Sequence, residues 1–169
     1  MIGWRWQPTT WTRPMQLAVG AFFVFQAVVS LALLLALRSV LRDVMLRQMQ
    51  RQLEAQPNPP DAQVVNQLLD VAFGLTVGFA ILVSTVATIL GILTLLQRWT
   101  WLFYTDLVVL GIGMLGILNA FSSLAQGYPA SLVVPGALFA VVSAALFAWL
   151  LYARIRHGVW GARREPIVG

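Results

Sequence analysis

The chain alternates long apolar runs with short polar punctuation, and four of the runs are long enough to cross a membrane: Met15 to Leu37, Val71 to Leu96, Trp101 to Phe121 and Leu132 to Tyr152. About 20 apolar residues in a helix span a hydrocarbon core of about 30 Å. The pattern therefore predicts four transmembrane helices, at about 15–37, 71–96, 101–121 and 132–152. Thr12-Arg13-Pro14 supplies the first with a capping hydroxyl and a proline suited to a first helical turn. That run exceeds the roughly 7–15 apolar residues of a secretory signal and has no small-x-small cleavage site after it, so it reads as a retained span.

Residues 38–70 form the one sizeable polar segment. No helix breaker occurs between Arg38 and Gln56, and on a helical wheel Leu41, Met45, Leu46, Met49 and Leu53 share one face opposite Asp43, Arg47, Gln50, Arg51 and Glu54. The first helix is expected to continue outward as an amphipathic extension. Pro57-Asn58-Pro59-Pro60 ends it, and Asp61 caps a return helix, Ala62 to Asp70, which runs into the second span. The two arms make a helical hairpin over 38–70, with Arg38 and Asp70 expected to form an ion pair at its base. Its apolar stripe either packs the arms together through Val64, Val65, Leu68 and Leu69, or part of it meets another protein or lies on the outer leaflet. The predicted fold is an all-α integral membrane protein: four transmembrane helices in an antiparallel bundle, forming a single domain over 1–169.

Composition sharpens this reading. The 169 residues are 59% hydrophobic and only 10% charged, with a mean hydropathy of +0.79, whereas a soluble domain carries about 25% charged residues. The net charge of +5 comes from eleven arginines against six acids. Because Arg5, Arg13, Arg98, Arg154, Arg156, Arg163 and Arg164 flank the apolar runs, the basic balance points to lipid headgroups and away from nucleic acid. These seven lie on the side of both termini and the middle loop, against four in the hairpin, so the positive-inside rule places both termini in the cytoplasm. All seven tryptophans (Trp4, Trp6, Trp11, Trp99, Trp101, Trp149 and Trp160) fall on that same side, as an interfacial anchor would. The short-loop, Arg-rich design suits a bacterial inner membrane.

Chemistry is limited by what is missing. With no cysteine, thiol catalysis and cysteine-ligated metals are excluded, and the extracellular cysteines of claudins and tetraspanins, which share a four-helix topology, have no counterpart. One histidine, His157, is too few for a bis-histidine haem site, and no phosphate-loop, HExxH or GxSxG pattern occurs. The expectation is therefore no enzyme, no cofactor and no metal.

The candidate site residues are of three kinds. Gly136, Ala140, Ala144 and Ala148 recur every four residues, and Gly74 and Gly78 form a GxxxG pair, so both sets are candidate helix-packing surfaces; Gly111, Gly113 and Gly116 add small residues to span three. Asp106 is the one acid within a span, about 7–8 Å of helix beyond Trp101, where Arg13, Arg98, Arg154 or Arg156 could pair with it. Gln26, Ser84, Thr85 and Ser143 lie near mid-span and could form a polar layer. The expected role is an accessory or scaffold subunit or a homo-oligomer, acting through helix packing with itself or with other membrane subunits. The alternative is a small oligomeric channel or transporter using the polar layer and Asp106.

Overall fold

The computed structural model describes residues 4–7, 9–54, 61–97 and 99–166. Six helices carry almost all of them: α1 (Thr12–Ala36), α2 (Arg38–Glu54), α3 (Ala62–Leu96), α4 (Thr100–Met114), α5 (Gly116–Ala125) and α6 (Ala130–Arg156). Four helical stretches are long and apolar enough to cross a membrane, namely Thr12–Ala36, Gln63–Leu96, Thr100–Ala125 and Ala130–Arg156. The predicted spans lie on these four in order. Their outward faces carry large apolar side chains, among them Phe25, Leu75, Phe79, Leu118, Phe121 and Ile155, each more than 60% exposed. A helix apolar on all sides has no solvated face to offer water.

The helical path from α1 into α2 is nearly unbroken, because the amide of Leu37 bonds the Leu33 carbonyl at 2.8 Å and that of Leu41 bonds the Leu37 carbonyl at 2.9 Å. The return arm and span two are one helix, α3. The proline-rich turn between the arms lies outside the described residues. Span three is tightened at Leu115, where α4 passes into α5 through three-residue bonds to the carbonyls of Ile112 and Leu115. It also runs past the predicted end, to Ala125, and closes at Gly127, whose φ of +78° is the left-handed conformation that terminates many helices. In α6, Pro135 withholds one amide from the Ser131 carbonyl but lies close enough to the start for the helix to persist.

One element was not expected. Strands β1 (Trp4–Gln7) and β2 (Arg163–Pro166) pair antiparallel, Trp4 opposite Pro166 and Gln7 opposite Arg163. This small ribbon joins the two ends of an otherwise helical chain.

The chain forms two compact units. The first comprises residues 1–26 and 87–169. In it α1 and the end of α3 run antiparallel, α6 packs along α4 and α5, and the core gathers Met15, Val19, Phe23, Leu102, Phe103, Leu110, Leu150 and Trp160. The second comprises residues 27–86, the outer parts of α1 and α3 with α2. Here Leu41, Met45, Leu46, Met49 and Leu53 are all half-buried while Asp43, Arg47, Gln50 and Arg51 are exposed, as the wheel predicts. On the return arm Leu69 is buried, whereas Val64 and Leu68 stay exposed.

Candidate functional site

The ion pair at the base of the hairpin is made by a different arginine from the one predicted. Arg42 places a guanidinium nitrogen 2.7 Å from Asp70 Oδ1, one helical turn beyond Arg38. Four residues return a helix to nearly the same face, so Arg38 and Arg42 present the same chemistry and differ only in height. Both partners are more than half exposed.

Close helix approach uses part of the predicted small-residue sets, Ala140 with Gly111, Gly113 and Gly116, and adds a crossing the repeats did not suggest. On α1 and α3, Gly20 and Gly91 cross face to face: a Cβ on either would lie 2.8 Å from the other's carbonyl oxygen. On α6, the contact row is Ala140, Ser143 and Phe147, set against Gly116, Gly113 and Gly111. Spacings of three and four keep a row on one side of a helix, whereas a strict spacing of four drifts by about 40° per step. The Gly136/Ala140/Ala144/Ala148 row therefore meets α5 only in its middle. Ala140 is buried and Ala144 half-buried, while Gly136 and Ala148 are exposed. Gly74, Gly78 and Gly136 have nothing within 4 Å of where a Cβ would stand.

Of the mid-span polar residues, Thr85 bonds within its own helix, donating to the Ile81 carbonyl at 2.8 Å, and Ser143 is buried with its hydroxyl over Gly113. Ser84 is buried and Gln26 half-buried.

The densest polar chemistry in the described residues is at the end of the first unit where α1 begins, α3 ends and α4 begins. Arg13 donates to the Leu95 carbonyl at 3.2 Å and Gln16 Nε2 to the Gln97 carbonyl at 3.1 Å, so two side chains of α1 satisfy carbonyls that the end of α3 leaves free. Three residues before Gln97, the Thr94 hydroxyl donates to Asp106 Oδ2 at 2.7 Å. Asp106 and Thr94 are 0% exposed and Gln16 1%. Two acceptors here have no partner at all: Asp106 Oδ1 and Gln16 Oε1. Of the arginines predicted to pair with Asp106, Arg13 is engaged with α3, Arg154 donates to the Tyr104 hydroxyl at 3.1 Å, and Arg98 lies outside the described residues. Gln16 was absorbed into the first apolar run at the sequence level; a lone amide one turn inside a span was its only signal.

Beside this cluster, the segment after α6 folds back. Gly158 and Gly161 take φ of +101° and +64°, and between them Trp160 takes φ +54°, which buries its indole against Phe103 with ring centroids 5.2 Å apart. Trp160 Nε1 donates to the Trp99 carbonyl at 3.2 Å, and the Thr9 hydroxyl donates to the Gly161 carbonyl. Thr12, expected as a cap, is instead the first helical residue, and its hydroxyl accepts the Thr9 amide at 3.1 Å. Trp11, Trp99 and Trp101 remain about half exposed, Trp11 stacking on His157. An open cleft of about 440 Å³ lies over Thr100, Tyr104, Arg154 and His157. Compared with known proteins, the chain matches no family model, no curated protein and no solved structure.

Proposed function

We propose that this chain is a non-enzymatic multi-pass membrane protein that acts as an accessory or scaffold subunit, packing its helices against a second copy or against other membrane subunits. The observation that carries the reading is a contrast among glycines. Gly20, Gly91, Gly111, Gly113 and Gly116 are each in close contact within the chain, whereas Gly74, Gly78 and Gly136 stand in spans with open space beside them. In lipid, small residues let helix backbones approach each other, and a span without such a partner gains nothing from them.

In this reading the four spans form an antiparallel bundle in a bacterial inner membrane, with both termini cytoplasmic. Exposed Trp11, Trp99 and Trp101 sit at the headgroup level, and Arg154 and His157 face anionic lipid across the cleft beside Tyr104. No nucleic acid is a partner. The test is native mass spectrometry of the protein extracted gently from its own membrane, comparing wild type with Gly74→Ile/Gly78→Ile. Wild-type assembly, with the variant folded but monomeric, supports the reading. A monomeric wild type, or assembly indifferent to both substitutions, overturns it.

A further inference from the structure

Where α4 begins and α6 ends, the two helices pack side by side, and the segment after α6 folds back onto both. Thr100, Tyr104, Arg154 and His157, together with Gly158 and Val159, line the open cleft of about 440 Å³ there. Clefts of roughly 300–1,000 Å³ are of the size that takes small ligands. The lining is chemically one-sided. Each of its four polar side chains can donate a hydrogen bond, and none of the described lining residues carries a carboxylate. Arg154 spends only its Nε, on the Tyr104 hydroxyl at 3.1 Å. The other N–H bonds of its guanidinium have no partner among the described residues, and the Tyr104 hydroxyl, acting here as acceptor, keeps its own proton to donate. His157 is steadied by stacking on Trp11, with ring planes 16° apart. Arg98, two residues before Thr100 and outside the described residues, is another arginine, a residue type with no side-chain acceptor to offer.

Donors gathered around a guanidinium are matched by an oxyanion, and the planar fork of arginine fits phosphate oxygens two at a time. The depth of the cleft selects among oxyanions. Thr100 is the first residue of α4 and His157 follows the last residue of α6, so the cleft lies where two apolar spans end. Half-exposed Trp99 and Trp101 flank Thr100, as indoles at the headgroup level do. We infer that this cleft holds one anionic phospholipid by its phosphate, with Arg154 as the fork and Thr100, Tyr104 and His157 supplying the remaining donors. Scattered interfacial arginines attract such lipids diffusely; this is a discrete site, one lipid per chain. It rests on the interfacial placement proposed above for this end of the protein, and not on how the chain assembles.

The experiment is native mass spectrometry of the full chain in detergent micelles, titrated separately with dioctanoyl phosphatidylglycerol, dioctanoylglycerol and soluble glycerophosphate. The same spectra count chains and bound lipids, so loss of assembly and loss of the site are read apart. The wild type should fill one phosphatidylglycerol per chain before any further adduct, and should bind neither the phosphate-free lipid nor the soluble phosphate over the same range. Arg154→Gln, at an exposed position whose replacement leaves the core intact, should weaken that first step by about 30-fold. Tyr104→Phe, which keeps the ring and removes the hydroxyl, should weaken it by about 3–10-fold. Arg156, exposed two residues further along α6 and absent from the lining, is the control: Arg156→Gln should cost at most about fivefold, the diffuse share of one interfacial cation. Equal losses in Arg154→Gln and Arg156→Gln, adducts that build up with no preferred first step, or equal binding of dioctanoylglycerol would reduce the cleft to ordinary interfacial charge and overturn the inference. Glycerophosphate binding as tightly as the lipid would overturn it in favour of a soluble phosphate ester.

Discussion

At the scale of single residues, the same amino acid serves opposite purposes according to where the helices cross. Gly20 and Gly91 are there because no side chain fits: a Cβ on Gly20 would stand 2.6 Å from Leu95 Cγ and 2.8 Å from the Gly91 carbonyl oxygen. The second atom is backbone and cannot rotate away, so Gly20→Ala should destabilise by about 1–3 kcal/mol in a detergent unfolding titration. Gly78→Ala, with open space around it, should be neutral or slightly stabilising in the monomer. Equal effects at the two positions would remove the crossing. Trp160 sets strain against burial. A left-handed conformation costs a non-glycine residue about 1–2 kcal/mol, but burying an indole of about 150–250 Å² at about 25 cal/mol per Å² returns about 4–6 kcal/mol. The ring wins, so Trp160→Ala should lower stability by about 3–5 kcal/mol. Trp160→Phe should cost less, losing mainly the bond to the Trp99 carbonyl. Neither Gly20 nor Trp160 stood out in the sequence. A lone glycine in an apolar run and one tryptophan of seven acquire their roles only from a neighbour far along the chain.

At the scale of elements, local pattern carried most of the information. Spans longer than 20 apolar residues, the amphipathic face of α2 and the continuity of the return arm with span two all follow from periodicity, which is a property of the helix itself. What depended on tertiary register was less accessible. The hairpin pair illustrates the difference: the sequence places an arginine near Asp70, but whether Arg38 or Arg42 meets it depends on how far the two arms have slid, a shift of one turn. A double-mutant cycle on Arg42 and Asp70 should give a coupling of about 0.2–1 kcal/mol that shrinks with added salt, as expected for an exposed pair. The same cycle with Arg38 should give no coupling. If Arg38 couples to Asp70 as strongly as Arg42 does, the register of the arms is wrong. The ends of α1 and α3 show the reverse case, where polar residues near a span's end look like ordinary boundary residues. In the fold, Arg13 and Gln16 reach carbonyls of Leu95 and Gln97, so each caps an element 80 or so positions away.

At the scale of the whole molecule, the antiparallel ribbon constrains topology independently of charge. Residues 4–7 hydrogen-bond to residues 163–166, so the two ends of the chain meet on one side of whatever the helices cross. That requires an even number of crossings, in agreement with four helices of spanning length. Arginine and tryptophan bias reached the same parity from composition, but composition could not reveal the ribbon, because strands of four residues have no periodicity to read. Parity does not say which side is cytoplasmic; the cytoplasmic placement of the termini is proposed from the seven-to-four arginine imbalance, and it can be tested directly. Because the chain has no cysteine, a single introduced thiol reports its own position without background. Thr10 and Gln52 are both exposed, the first before α1 and the second near the end of α2. With the termini in the cytoplasm, a membrane-impermeant maleimide should label Gln52→Cys in intact cells and Thr10→Cys only after permeabilisation. The reverse pattern would invert the protein and turn the arginine-rich end outward. Labelling of both in intact cells would break the parity, and with it either the ribbon or one of the four crossings.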